Sequence, residues 1–308
     1  MRKPVIVITV AVVVLMAGCR SGQEPVSPSP SVSVAPTQAP TPTQSAVTTA
    51  PPTPATPTAS ATAEPAAQAR LEYYLVRESG TRIFVEPVVF TYDRATVGQG
   101  VAREAMTRLL GAPATRGLVN LVPAGTTLRD IAVADGLLRV DLSAEVATNP
   151  GVGAEGEQAF QQMLAHTGAQ FSTVDRVVVL VDGQPITDLW GHVDWSMPFQ
   201  ADPFAVSPIV ISQAMGVAQS GTHGGLIELS GTANVFEATF DLEVTDGSGA
   251  VVESQFATAT CGTGCRGEWQ ATISNLDPGP YTVTAREQDA SDGEGFAPFE
   301  VSLRVTVP

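Results

Sequence analysis

The sequence predicts an α+β domain of element order β-β-α-β-β-α-β followed by an all-β sandwich, both carried behind a long, disordered Pro/Thr/Ser-rich linker. Three observations carry this reading. Residues 20–69 consist largely of Pro, Thr, Ser and Ala, hold no aromatic side chain, and are charged only at Arg20, Glu24 and Glu64. Between about 70 and 204, stretches with strand-like and helix-like spacing alternate. From 205 to 308 apolar residues recur with a period of two, and no helix-like stretch is found.

The first residues read as an export signal. Arg2 and Lys3 precede an apolar run over 5–15 that is broken only by Thr9, and Met16-Ala17-Gly18-Cys19 follows. A positive start, a short apolar stretch and small residues before a cleavage point form a secretory signal. The run is shorter than the roughly 20 residues that a membrane-spanning helix needs. The small residues leading into Cys19 resemble the bacterial lipobox, departing from it in having Met16 where Leu is commonest. That resemblance implies a signal peptide over 1–18, cleavage after Gly18, and lipid (a diacylglyceryl group, with further acylation such as palmitate) on Cys19. One acyl chain holds a protein only marginally and two hold it stably, so a lipid-anchored position at the extracytoplasmic face of the cell membrane is expected. Ordinary secretion with an incidental cysteine is the alternative.

Residues 19–69 then form the tether. Such a composition cannot bury enough apolar surface to offset the entropy of ordering a backbone. Proline favours extended conformations, and at about 3.1 Å per residue some 50 residues reach on the order of 150 Å. O-linked sugars on the Ser/Thr-Pro runs and a bare linker are equally compatible with the composition. The formal charge of −15 and the lack of a basic stripe exclude nucleic acid as a partner. A solvated, self-repelling surface accounts for the acidity.

Within 70–204, strands are expected over 71–77 and 83–92, joined at Ser79-Gly80. A helix over 98–110 places Val101, Ala105, Met106, Leu109 and Leu110 on one face, and Gly111 and Pro113 stop it. Strands over 127–133 and 137–142 flank Asp135-Gly136, a strong hairpin signal. A second helix over 154–169 aligns Phe160, Met163, Leu164 and Thr167, with Glu155 and Glu157 in the first turn, where the helix dipole favours negative charge. A strand over 176–181 ends at Asp182-Gly183. Within 205–308, seven short strands separated by Gly, Asp and Pro turns indicate a β-sandwich of immunoglobulin type. Leu276-Asp277-Pro278-Gly279-Pro280-Tyr281 has the form of a tyrosine corner, in which the phenol bonds back to the main chain. A flexible junction near Asp202 and Pro203 would let the two parts unfold separately.

Several local sequences add a family resemblance. Leu109-Leu110-Gly111-Ala112-Pro113, Val122-Pro123-Ala124-Gly125-Thr126-Thr127-Leu128, Asp135-Gly136 through Val140-Asp141-Leu142-Ser143, Gln170-Phe171 and residues 177–183 together resemble the GerMN domain of sporulation and germination proteins. Gly231-Thr232-Ala233-Asn234-Val235-Phe236-Glu237 and Val244-Thr245-Asp246-Gly247 resemble the immunoglobulin-like domain that often follows it. The resemblance implies a fold related to ring-building modules of secretion-like assemblies, a binding role outside the membrane, and no known catalytic chemistry.

Few residues suggest chemistry of their own. Cys261 and Cys265 frame two glycines, and outside the cytoplasm such neighbours usually pair as a disulfide. Free thiols and a metal site are the alternatives, and a metal would need two further ligands. Asp188, Trp190, His192, Asp194 and Trp195 form the densest cluster of functional side chains. Trp rings flanked by carboxylates suit sugars, and carboxylate pairs also run glycoside hydrolysis; a closing loop with buried indoles is the plainer reading. Thr222-His223-Gly224-Gly225 has the look of an esterase oxyanion loop, but no Gly-x-Ser-x-Gly elbow accompanies it. With three scattered His residues and no phosphate loop or HExxH, no catalytic residue, cofactor or metal is expected. The sequence therefore favours a non-catalytic binding module of the cell envelope that engages an envelope protein or a cell-wall polymer. The alternative is a peptidoglycan-sugar-binding or hydrolase-accessory protein working through 188–195. Oligomeric state is left open.

Overall fold

The computed structural model describes residues 68–97, 100–218, 224–289 and 297–308. The expected leader, Cys19 and linker up to residue 67 lie outside the described residues, as do Thr222 and His223.

The described residues begin with a twelve-by-twelve antiparallel hairpin, β1 (Gln68–Ser79) and β2 (Arg82–Asp93), turning at Gly80. It is longer than its apolar stretches because the ladder, once registered, continues through polar flanks. A helical turn, α1 (Arg94–Val97), leads to α2 (Val101–Gly111), which buries Ala105, Met106 and Leu109. Asn120 closes the end of α2 by donating to the carbonyls of Leu109 (2.8 Å) and Ala112 (2.9 Å). Next come the hairpin β3 (Leu128–Ala134) and β4 (Leu137–Leu142) around Asp135-Gly136, both with positive φ. Helix α3 (Ala154–Ala169) then crosses to β5 (Arg176–Val181), which runs parallel to β4, and a two-residue strand β6 (Gln184–Pro185) ends the sheet in the order β3-β4-β5-β6. The helix sits close on this sheet. A Cβ at Gly168 would lie 2.7 Å from a Leu138 methyl, so glycine sets that distance.

The free edge of β1 is closed by α3 and by a loop. Gln170 accepts from Glu72 N–H (2.9 Å) and donates to Glu72 C=O (2.7 Å), and Thr167 accepts from Tyr74 N–H (3.1 Å). Val76 pairs in both directions with Val119 (2.9 and 2.8 Å). An edge so occupied is protected from pairing with other chains.

Among the described residues, the second part is a sandwich of seven strands. Strands β7 (Ile209–Ala218), β8 (Gly225–Ala233) and β11 (Gly267–Leu276) form one sheet in the order β11-β8-β7. Strands β9 (Thr239–Asp246), β10 (Val251–Thr258), β12 (Gly279–Glu287) and β13 (Glu300–Val307) form the other, in the order β10-β9-β12-β13. Alternate residues point inward, and Trp269 meets Phe240 edge-on at 5.1 Å in the centre. The Tyr281 hydroxyl donates to Asp277 C=O at 2.8 Å, which is the expected tyrosine corner. The architecture is thus α+β followed by an all-β sandwich.

The expected flexible junction is not what joins the two parts. Val85 of β2 donates to Ala205 C=O (2.8 Å) and accepts from Ser207 N–H (3.1 Å), so the connecting segment adds to the first hairpin. Phe84 enters the sandwich core and meets Phe299 edge-on at 5.3 Å, while Val206 and Val210 enter the core of the first part. Arg266 donates to the carbonyls of Val206 (3.2 Å) and Ser207 (2.9 Å). Asp202 is itself bonded to α3 through Gln162 (2.8 Å). Apolar surface on both sides made this packing more favourable than a free linker, and the described residues from 68 onward lie in one compact unit. Phe84→Ala should therefore destabilise the molecule by about 3–5 kcal/mol. Denaturant melts followed by far-UV dichroism and by Trp fluorescence should coincide for the parent and separate for the variant; separate parental transitions would refute the interlocked junction.

Candidate functional site

The cluster over 188–195 follows β6 and crosses the start of α3. Its organising group is Glu157, in the first turn of α3 and 0 % exposed. Glu157 Oε1 accepts from Trp190 N–H (3.1 Å) and from the Trp195 indole Nε1–H (2.7 Å), and Oε2 accepts from His192 N–H (2.9 Å). The Trp190 indole donates instead to Val146 C=O at 2.9 Å. Phe160, one turn further along α3, stacks on Trp190 at 4.9 Å and lies tilted against Trp195 at 5.9 Å. Phe199 meets Trp195 edge-on at 5.5 Å.

In this arrangement the two indoles serve as packing groups, as in the plainer closing-loop reading, and not as platforms for a sugar ring. Trp190 and Trp195 are only 7 % and 1 % exposed, so their faces are covered by protein. Both indole N–H groups already have protein partners. Asp188 and Asp194 are exposed, and each closes a local turn, Asp188 accepting from Gly191 N–H (2.7 Å) and Asp194 from Ser196 N–H (2.8 Å). The bonding to Ser196 holds the Asp194 carboxyl below the ordinary carboxylate range. The His192 side chain is exposed while its main chain is held. The five residues are neighbours, with the two indoles turned inward and the Asp188, His192 and Asp194 side chains outward.

Sequence reasoning assigned Glu157 to the helix dipole and missed its role. A signal was present: Glu157 lies three residues before Phe160 and seven before Leu164, on the stripe that faces the core. A carboxylate at such a position needs several donors.

Beyond Glu157, α3 fastens the connecting segment. Gln161 donates to Asp194 C=O (3.4 Å), Gln162 donates to Gln200 C=O (3.2 Å), and the His166 ring bonds Asp202 C=O (2.9 Å). His166 also lies against the Tyr74 ring at 5.0 Å. Burial, opposed by the Asp202 carbonyl and charge, lowers the His166 pKa below its ordinary value of 6.5, and Arg266 adds to the lowering. Between this helix and β2 runs a groove of about 500 Å³, lined by Arg82, Ile83, Phe84, Glu155, Gln158 and Asp202 among others.

At the end of the sandwich nearest the junction, where Ala233 pairs with both Ile209 and Gly267, Cys261 and Cys265 are joined as a disulfide, with Cα atoms 5.8 Å apart. The loop they close is seated on the β8–β9 connection, Thr263 N–H donating to Val235 C=O (2.9 Å) and Gly264 N–H to Asn234 Oδ1 (3.0 Å). A Cβ at Gly262 would lie 2.3 Å from Ala238 N, so only glycine fits there. Arg266, the clamp on the junction, follows Cys265 directly. Among the described residues no group of three or more His, Cys, Asp or Glu is placed to hold a metal ion.

Comparison with known proteins accords with this architecture. Residues 72–187 match the family model described as sporulation and spore germination. Residues 218–294 match the model for the immunoglobulin-like domain of bacterial spore germination. The chain carries a GerMN domain followed by a germination-type immunoglobulin-like domain. Solved structures that resemble it include a candidate lipoprotein from Clostridium perfringens, with 23 % identity over 43 % of this chain and 87 % of that one, and a TM-score of 0.31. The first GerMN domain of the sporulation protein GerM from Bacillus subtilis is 23 % identical over 44 % of this chain and 96 % of that one, with a TM-score of 0.34. The tandem GerMN domains of the same protein are 16 % identical over 52 % and 58 %, with a TM-score of 0.34. No curated protein matches.

Glu157 and His166 of α3 hold the segment that follows β6. Glu157→Ala leaves three donors, two of them buried, without an acceptor and should cost about 3–5 kcal/mol. Its Trp fluorescence should shift to the red as Trp190 and Trp195 become solvated; an unchanged spectrum and midpoint would remove Glu157 from its central role. His166 is favoured neutral, so its contribution is complete above pH 6.5 and is lost as pH falls through its lowered value. The stability difference between the parent and His166→Gln should accordingly shrink between neutral pH and pH 5. A difference independent of pH would show that His166 does not titrate against the junction.

Proposed function

We propose that this chain is a non-catalytic interaction module of the bacterial cell envelope, held outside the membrane by lipid on Cys19 and acting in sporulation, germination or envelope assembly. The observation that carries this reading is the tandem of two families, both described by spore germination, in one chain. The structure favours it over the sugar-binding alternative through one specific feature. The indole rings that would have stacked on sugar are packed against Phe160 and Phe199 instead.

Anchoring rests on the leader, where the apolar run over 5–15 and the small residues before Cys19 resemble a lipobox. The Pro-rich tether would then hold the two domains away from the lipid surface, in reach of an envelope protein or wall polymer. Cys19→Ala should leave an uncleaved or soluble precursor, because the thiol is the attachment site for the lipid. Fractionation of that variant with membranes at mature size would refute the anchored reading. Capture of an envelope protein or of purified wall by the full chain, without release of sugars from the wall, is the result expected of a non-catalytic module.

A further inference from the structure

Backbone groups at alternate residues of β2 face away from β1. At Val85 these outer groups bind Ala205 and Ser207 in parallel register. Ile83, two residues earlier, presents its N–H and C=O to the same side. There the connecting segment has already turned away, through a turn in which Ala205 N–H donates to Asp202 C=O at 3.0 Å. The groove of about 500 Å³ opens at this position, with Ile83 and Phe84 on one wall and Glu155 and Gln158 of α3 on the other. Phe204, 66 % exposed, stands in the turn between the lining residues Asp202 and Ala205.

We propose that this groove receives a short extended peptide that adds to the edge of β2 at Ile83. A basic side chain of the peptide would face Glu155 and Asp202, and an apolar one would rest against Phe204. The proposal rests on the interaction-module reading and names its partner class. The molecule's own segment 205–207 already occupies the next stretch of the same edge, so the edge is built to take an extended chain. Outward N–H and C=O groups at strand spacing are what strand addition uses, with flanking pockets selecting side chains. The volume falls in the range of about 300–1,000 Å³ common for small binding sites. The lining carries two carboxylates against one guanidinium, Arg82, which lies over the Phe84 ring at 4.6 Å. The chain's formal charge of −15 adds a long-range preference for a cationic partner.

The test uses the full chain and a labelled Val-Arg-Val-Arg-Val peptide, read by fluorescence anisotropy. Gln158 is exposed, so Gln158→Trp fills the groove without entering the core. Binding should weaken by about tenfold or more in Gln158→Trp and with the same peptide N-methylated at alternate residues, because each blocks strand pairing in the groove. The Val-Glu-Val-Glu-Val peptide should bind least. Absence of binding by the Val/Arg peptide, binding unchanged by Gln158→Trp, or binding that survives N-methylation would each overturn the proposal. Capture of an envelope protein that Gln158→Trp leaves unchanged would overturn the groove alone and keep the interaction module. Capture by neither form would count against the module itself.

Discussion

A carboxylate shut off from solvent is tolerated only where protein donors replace the water it has lost. Glu157 meets this condition with two main-chain N–H groups and one indole N–H, supplied by Trp190, His192 and Trp195. The donors and the acceptor come from segments more than thirty residues apart, so neither is satisfied until the GerMN domain has folded around α3. The bonds also fix where the chain goes next. With 190–195 held at the start of α3, the following residues run along the same helix, tied by Gln161, Gln162 and His166. They reach β2 at Ala205, and the second domain begins from a defined position.

That position makes the junction an interlock. Each core contains residues from the other side, Phe84 in the sandwich and Val206 and Val210 in the GerMN core. Arg266 adds a charged clamp, and burial lowers its pKa even though Tyr74 and Glu86 lie close enough to oppose this. Its place in the chain, directly after Cys265, links the clamp to the disulfide loop. The loop in turn is seated on the β8–β9 connection, beside the start of β7, so the disulfide loop and the junction lie at the same end of the sandwich. The interface between the domains is therefore structural, and a functional surface has to be sought beside it.

The groove beside α3 satisfies that requirement. Its walls come from the hairpin, from the exposed face of α3 and from the connecting segment, three elements whose relative placement depends on Glu157 and on Val85. The tryptophans that drew attention to 188–195 serve this placement as packing groups. Both family models that the chain matches are described through sporulation and spore germination.

Local patterns in the sequence were enough to define the elements. The apolar spacing of 154–169 marked α3 to the residue, Asp135-Gly136 marked the β3–β4 turn, and the alternation after 205 marked seven strands. Tyr281 and the Cys261–Cys265 pair were equally legible, because each bond closes within a few residues. Only the tertiary structure decided which way Trp190 and Trp195 face, that Glu157 belongs to the core, and that Asp202 and Pro203 lie in a fastened segment. Each of these depends on partners some thirty to forty residues away, as Trp195 does on Glu157 and Asp202 on Gln162. Periodicity reports which face of an element is buried but not against what, since burial of apolar area has no direction.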